Sequence, residues 1–230
     1  MITNDFIIYT KAKYNIPEST VTRLSMYYRV LSESGRNDFI RSEEIAFLTG
    51  FTPPQIRRDL TYFGQFGVPG KGYPVDELKQ KILGILGIDK EWKVALIGVG
   101  NLGSAFLTYK GFKQQGFKIV AAFDNDRRKI GSVKADFQIQ DIKQLKSVVQ
   151  QNAIKIAILT VPAMVAQEVL NYVVDSGIKL ILNFAAVRLK VPDFVNLLNI
   201  DIAVELERLT YYATSGSKTL VLKKTLRLFR

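Results

Sequence analysis

Apolar residues recur at helical spacing three times between Val21 and Phe63 of this 230-residue chain. Residues three and four apart share one face of an α-helix, so each stripe predicts a helix with one buried side. The stripes are Val21, Leu24, Tyr28 and Leu31, then Ile45 and Leu48, then Ile56, Leu60 and Phe63. Ser42 and Thr52 are suited to begin the second and third helices. Three short helices with a tight turn between the last two predict a helix-turn-helix.

The third helix is expected to carry a polar face, with Arg58 pointing directly away from Ile56. The glycine-rich segment from Gly64 to Tyr73 then predicts a hairpin tip, or wing, that carries one lysine. Together they predict a winged helix whose side chains contact phosphates and base edges of DNA. The candidate DNA contacts are Ser42, Gln55, Arg57, Arg58, Thr61, Tyr62 and Lys71. The alternative is a small helical domain whose arginines are only solvated.

A different pattern begins after a predicted helix over Val75 to Leu86. The apolar run Val94 to Ile97 leads into G-x-G-x-x-G at Gly98, Gly100 and Gly103, and a second apolar run ends at Asp124. In a dinucleotide-binding fold these glycines permit a tight turn, close approach of a pyrophosphate, and packing of helix on strand. The pyrophosphate would bind at the helix N-terminus, beside Asn101 and Leu102, and Asp124 would accept hydrogen bonds from a ribose.

Further apolar runs alternate with helical patterns, which predicts a doubly wound parallel sheet of Rossmann type. Ligands of such sheets bind beyond the carboxyl ends of the strands. The residues expected to line the nicotinamide side are Thr160, Val161, Pro162, Asn183, Phe184 and Ala185. They could also form ordinary strand-to-helix turns. A last helix, over Ile202 to Tyr212, has apolar residues on one face and is expected to bury it against a partner subunit. The alternative is that it packs back on its own domain.

Composition narrows the function classes. The chain has a net charge of +11 and contains neither Cys nor His. It therefore lacks thiol nucleophiles, thiolate metal ligands and the commonest general base. No metal site, signal peptide or membrane span is expected. Residues 208–230 contain six basic and no acidic residues, and the basic tail 213–230 is interpreted as a solvated terminus.

The chain resembles the Rex family of redox-sensing transcriptional repressors, which respond to NADH. The resemblance spans about residues 15–212. It rests on QIRRDLTYFGQFG at 55–67, GVGNLG at 98–103, AAFD-x-D at 121–126, IAILTVPA at 156–163, LNFA at 182–185 and IDIAVEL at 200–206.

The resemblance implies a cytoplasmic homodimer that binds double-stranded operator DNA when NADH/NAD+ is low and is released by NADH. It implies that each C-terminal helix is swapped onto the other subunit. Arg57, Arg58 and Lys71 match the DNA face. Arg29, Tyr109 and Asp201 match a switching network, in which the aspartate comes from the partner subunit. The direction of that switch stays open.

Two departures and two alternatives accompany this interpretation. Pro69 stands where the family wing usually has arginine, and Arg127 and Arg128, beside the ribose acid, could tolerate a 2′-phosphate. The chief alternative is an NAD-dependent dehydrogenase using the dyad Tyr109 and Lys113, which we expect on the helix after the glycine loop, away from the hydride acceptor. The other is a winged-helix protein whose Rossmann unit only dimerises.

The expected domains are a winged helix over 1–86, a Rossmann NAD(H) domain over 87–199, a swapped helix over 200–212 and the tail.

Overall fold

The computed structural model describes residues 16–36, 38–62, 64 and 67–214. The chain divides into two compact units, with the boundary between Asp89 and Lys90. The predicted buried residue Phe63 and nearly all of the basic tail lie outside the described residues. Within the described part of the chain, no helix has the length and apolar character needed to cross a bilayer.

The first unit is a winged helix, as expected. Its helices are α1 Glu18–Glu33, α2 Ser42–Thr49, α3 Pro53–Thr61 and α4 Val75–Leu86, and its short antiparallel strands are β1 Phe39–Ile40 and β2 Tyr73–Pro74. The Thr52 hydroxyl accepts the backbone N–H of Gln55 at 3.4 Å and so caps α3. Within the wing, the Val68 N–H donates to the Gly72 carbonyl at 2.7 Å and pairs the two arms of the hairpin.

The buried face of α1 differs from the stripe expected from the sequence. Leu24, Tyr27 and Leu31 are almost fully buried, whereas Val21 is 41% exposed. Tyr27 was not expected in the core, and the neighbouring Tyr28 is only partly buried. The reason is a polar contact, because the Tyr27 hydroxyl donates to Asp59 Oδ2 at 2.8 Å.

Asp59 is a buried carboxylate at the interface of α1 and α3, with 2% of its surface exposed. Arg23 donates to both of its oxygens, from Nε at 2.6 Å and Nη2 at 2.7 Å, and the Thr20 hydroxyl donates at 3.2 Å. Burial by itself would raise the pKa of Asp59, but the hydrogen bonds from Arg23 and Tyr27 outweigh it and lower that pKa. The carboxylate therefore stays charged and fastens α3 to α1.

The second unit is a seven-stranded sheet with helices on both faces. The strands are β3 Trp92–Ile97, β4 Phe117–Asp124, β5 Val133–Lys134, β6 Phe137–Asp141, β7 Ile156–Leu159, β8 Leu180–Asn183 and β9 Asn196–Asn199. The helices are α5 Asn101–Thr108, α6 Gly111–Gln114, α7 Leu145–Asn152, α8 Ala163–Asp175 and α9 Ile202–Thr214, with a 3₁₀ turn at Ile142–Gln144. The strand order is β5-β6-β4-β3-β7-β8-β9, and only the β5–β6 pairing is antiparallel.

The two faces of this sheet belong to two apolar cores. Ala95 and Ile97 of β3 pack in the core that includes α7 and α8, whereas Val94 and Leu96 pack with Phe106 and Phe112 on the other face. Alternate residues of a strand point to opposite faces, so a strand covered on both sides is apolar throughout. Apart from the antiparallel β5, the strand order is that of a dinucleotide-binding sheet, with its crevice between β3 and β7.

We predict that Asp59→Ala lowers the free energy of unfolding of the first unit by about 3–5 kcal/mol, because it leaves the partly buried Arg23 without its partner. Asp76→Ala is the control: Asp76 is exposed and 3.6 Å from Lys79, and its loss should change stability by less than about 0.5 kcal/mol. Urea unfolding followed by hydrogen exchange measures both. Equal effects would contradict the role of Asp59.

The Asp59 pair also predicts an acid dependence of stability. The folded pKa of Asp59 lies below its ordinary value, so the carboxylate stabilises the fold above the unfolded pKa, about 3.9. That contribution is lost as pH falls from there through the folded pKa. In Asp59→Asn this acid-dependent part should be absent, and an unchanged slope of stability against pH below about 4 would refute the assignment.

Candidate functional site

The glycine loop after β3 is shaped by close backbone contacts. Gly98 has φ +92°, and a Cβ there would lie 2.7 Å from the Thr160 carbonyl oxygen. A Cβ on Gly103 would lie 2.0 Å from the Gly98 carbonyl oxygen. A Cβ on Gly100 would have no atom of the described residues within 4 Å. Gly98 and Gly103 are thus required by the fold, while Gly100 faces open space.

Helix α5 begins at Asn101, directly after Gly100, beyond the carboxyl end of β3. The first N–H groups of a helix have no partner within the helix, and the helix dipole favours an anion beside them. The fold therefore places a helix N-terminus where the glycine motif predicts one, and the binding of an anion there stays a prediction.

Asp124, at the end of β4, lies beside this loop and is 7% exposed. Its Oδ2 accepts the backbone N–H of Val99 and the ammonium of Lys129, each at 2.9 Å, and its Oδ1 accepts the N–H of Asp126 at 2.9 Å. Burial would raise the pKa of Asp124, but these bonds outweigh it, and the pKa is lowered. A carboxylate accepts about four hydrogen bonds, so it keeps capacity for a ribose hydroxyl.

The loop, Asp124 and the ends of β7 and β8 enclose a cleft of about 420 Å³. Most of the predicted cofactor residues line it: Gly98, Gly100, Leu102, Asp124, Thr160, Val161, Pro162 and Phe184. Gly103 and Ala185 are buried beside it. Asn183 is fully buried, and its side-chain amide bonds to the backbone of Ala185 and the side chain of Asn199. Its side chain therefore shapes the turn rather than facing the cleft.

Four further residues line the cleft that the sequence did not point to: Asn125, Asp126, Lys129 and Val165. Lys129 is the most informative of them, because it places a cation against the buried Asp124. Arg128, which the sequence suggested as a contact for a 2′-phosphate, forms two hydrogen bonds to Asp126, at 3.0 and 2.8 Å. Its charge is therefore partly neutralised at this position.

The other candidate surface is the face of α3 and the wing. Arg57, Arg58 and Thr61 are exposed on α3, and Lys71 is exposed on the wing, with its ammonium 5.7 Å from the centre of the Phe39 ring. An open cleft of about 440 Å³ lies between them, lined by Arg41, Ser42, Glu43, Arg57 and the wing residues up to Tyr73. Arg57 Nη1 donates to Ser42 Oγ at 2.7 Å and to Glu43 Oε1 at 3.0 Å. Gln55 and Tyr62 are half-buried at the two ends of the helix.

The three predicted switch residues belong to different units. Arg29 is exposed on α1 in the first unit. In the second unit, Asp201 Oδ1 accepts the N–H of Ala203 at 2.9 Å and caps α9. The ring of Tyr109 is 60% exposed and packs edge-on against Phe112.

The expectation that Tyr109 and Lys113 share one helix is wrong. Tyr109 has extended backbone angles, φ −76° and ψ 104°, and separates α5 from the four-residue α6. Its ring lies over Gly111, where a Cβ would come within 2.5 Å of it. The Tyr-x-x-x-Lys spacing therefore does not place the two side chains one helical turn apart, as a catalytic dyad would need.

Family models match two parts of the chain. "Putative DNA-binding protein N-terminus" matches residues 15–61, and "CoA binding domain" matches residues 89–187. The chain is also similar to the redox-sensing transcriptional repressor Rex of Desulfitobacterium hafniense, with 46% identity over 85% of this chain and 94% of the relative. The Rex of Carboxydothermus hydrogenoformans is 44% identical over 86% and 96%.

The chain is similar over most of its length to solved structures of RSP, a Rex-family repressor. RSP in complex with β-NAD+ and operator DNA gives a TM-score of 0.83 at 36% identity, over 92% of this chain and 97% of RSP. RSP in complex with β-NADH gives 0.79 at 35% identity, over 89% and 97%. The relatives are named as repressors and not as enzymes, which confirms the expected class over the dehydrogenase. A winged helix joined to a dinucleotide-binding sheet, together with these similarities, shows that the chain belongs to the Rex family of redox-sensing transcriptional repressors.

Proposed function

We propose that this chain binds operator DNA through α3 and the wing, binds NADH in the cleft beside Gly100 and Asp124, and releases the DNA when NADH binds. The observation that carries the proposal is the coexistence of two built sites in one chain. One is an exposed arginine face on a clamped recognition helix, and the other is an anion-binding loop beside a buried, charged ribose acid. In RSP, the operator complex contains NAD+, which supports release by the reduced form.

The cleft fits a dinucleotide in its donor set. The N–H groups at the start of α5 suit a pyrophosphate, Asp124 suits ribose hydroxyls, and Val161, Pro162 and Phe184 form an apolar wall for a planar ring. NADH binding reports the redox state, and the proposed function includes no chemical reaction of NADH in the cleft. The chain's residues bind and orient it, and they change the DNA affinity through the switch network.

The homodimer with exchanged C-terminal helices is part of the same proposal. None of the described side chains of α9 is buried within its own chain, and Ile202, Leu206 and Leu209 are 56%, 58% and 50% exposed. An exposed apolar stripe of this kind is typical of a surface that a partner covers. A dimer implies a two-fold operator with half-sites spaced by whole helical turns, and such a repressor acts in the cytoplasm, where the operator lies.

Gly100→Val is expected to weaken NADH binding at least about tenfold, or about 1.4 kcal/mol, because the side chain occupies space that the pyrophosphate needs. The folded state should be unaffected, since a Cβ there meets no atom of the described residues. Energy transfer from Trp92, the single tryptophan, to NADH measures the affinity. Gly84→Ala, on α4 with the same open surroundings, is the control. Wild-type affinity of Gly100→Val would show that the site is misplaced.

Arg57→Ala and Arg58→Ala are each expected to weaken operator binding by about 1–3 kcal/mol if the arginine contacts a base edge. A phosphate contact would instead weaken binding to all sequences and reduce the salt slope by about one. Fluorescence anisotropy with a duplex selected from a random library, at several salt concentrations, separates the two. Lys79→Ala on α4 controls for net charge. A double alanine variant with wild-type operator affinity would remove α3 from the DNA face.

Asp201→Asn is expected to retain NADH binding and DNA binding but to lose the coupling between them. Asparagine still caps α9 while removing the charge that the switch network needs. Coupling is reciprocal and typically about 1–3 kcal/mol, a factor of about 5–150. A full thermodynamic cycle with NADH and operator measures it, and Glu205→Gln on the same helix is the matched control. An unchanged coupling factor would place the switch elsewhere, and dissociation into monomers would make Asp201 a structural residue.

A further inference from the structure

Arg57 is held in place from outside its own helix. Its Nη1 donates two hydrogen bonds to residues at the start of α2, to the Ser42 hydroxyl at 2.7 Å and to Glu43 Oε1 at 3.0 Å. The Ser42 hydroxyl in turn donates to Glu43 Oε1 at 3.1 Å. These three side chains form a closed triangle. Among the described residues, no bond engages the Nε–Nη2 edge of the guanidinium, which is one of the two edges able to pair bidentately with guanine O6 and N7.

Glu43 is an unexpected residue on this surface. It is the only carboxylate among the described residues that line the cleft between α3 and the wing, where Arg41 and Arg57 are the cations. Its neighbour Glu44 is occupied elsewhere, by the backbone N–H of Arg41 and by Arg36. A carboxylate on a surface that contacts phosphates weakens binding to every DNA sequence.

The ion pair between Glu43 and Arg57 contributes little to stability, although a carboxylate in the first turn of α2 is itself favoured by the helix dipole. Its side chain and that of Arg57 are 61% and 50% exposed, and ion pairs at that exposure contribute little to folding. The pKa of Glu43 is lowered by its own backbone N–H and by the hydrogen bonds from Ser42 and Arg57, so the charge persists at neutral pH. The Glu43–Arg57 pair therefore lowers the affinity for DNA and adds little to the stability of the fold.

We infer that Glu43 is a specificity-determining residue, which positions Arg57 for a guanine edge and discourages it from contacting phosphate. Glu43 and Ser42 fix the guanidinium plane, so its free edge meets a base at a set angle. A long arginine without that restraint reaches the nearest phosphate, which every sequence offers. The negative charge beside it further opposes the non-specific complex. This inference rests on the proposed DNA-binding function of α3 and the wing.

The test compares Glu43→Gln with Glu77→Gln. Glu77 lies on α4, is half-exposed and pairs with Lys81 at 3.0 Å, so it gives the same charge change away from the cleft. For each full-length variant and the wild type, the affinity is measured for an operator selected from a random duplex library and for a scrambled duplex of equal length and composition. The salt dependence is measured for both duplexes.

Glu43→Gln is expected to bind the scrambled duplex more tightly than wild type while the ratio of operator to scrambled affinity falls at least about fivefold, the lower end of what one bidentate base contact contributes. Single base-pair substitutions should locate the lost discrimination at one G·C pair in each half-site. Glu77→Gln should leave the ratio at its wild-type value. A Glu43→Gln variant that tightens both duplexes equally overturns the inference, because Glu43 would then act only as a distant charge.

Ser42→Ala provides a second variant with no change in charge. It removes one side of the triangle, so the ratio should again fall, with the same G·C pair affected. An unchanged ratio in this variant also contradicts the positioning role. If the wild-type protein itself selects no sequence and shows a ratio near one, the proposed function fails, and that result is distinct from a specific wild type whose ratio is insensitive to Glu43.

Discussion

The nucleotide cleft depends on one close backbone contact, that of Gly98 with Thr160. At this point β3 has ended and β7 is ending beside it, and the Thr160 hydroxyl donates to the carbonyls of Ile97 and Gly98 at 3.2 and 2.7 Å. A side chain on Gly98 would push the two strand ends apart. The contact fixes where α5 starts, and so fixes the position of the N–H groups that would hold a pyrophosphate.

The first unit uses charge in two different ways. Asp59 is buried and fully bonded, and it fixes α3 against α1 at the cost of desolvating a carboxylate. Glu43 is exposed and forms an ion pair with Arg57 of α3, a residue of the proposed DNA face. The first carboxylate fixes the position of α3, and the second restrains one of its side chains. A surface made only of cations would attract DNA of any sequence, because no carboxylate would restrain its arginines.

Much of this architecture could be predicted from sequence, because periodicity and glycine spacing are local signals. The continuous apolar runs predicted buried strands, and α4 has the predicted bounds. The predictions that failed all depend on tertiary contacts and not on the local sequence. Tyr27 and Tyr28 are adjacent, and only the position of Asp59 across the helix interface decides which of them is buried.

The same limit applies at the cleft. Lys129 contacts Asp124 because the chain turns back after β4, and no spacing rule predicts that return. Asn183 is the last residue of β8, as a lining residue could be, but its amide is used within the turn that follows. The end of α5 at Tyr109 also lacks a strong local signal, since Gly111 lies two residues beyond it and acts by making room for a ring.

The three glycines of the nucleotide loop do not carry the same information about ancestry. Gly98 and Gly103 are enforced by neighbouring backbone, so any descendant that keeps this sheet must keep them, whether or not it still binds a dinucleotide. Gly100 is under no such constraint from the described residues, and in the proposed function its missing side chain leaves room for the ligand. If that proposal holds, a relative with the outer glycines intact and the middle one replaced would have kept the fold and lost the ligand. The middle glycine would then be the position that separates sensing from non-sensing members of such a lineage.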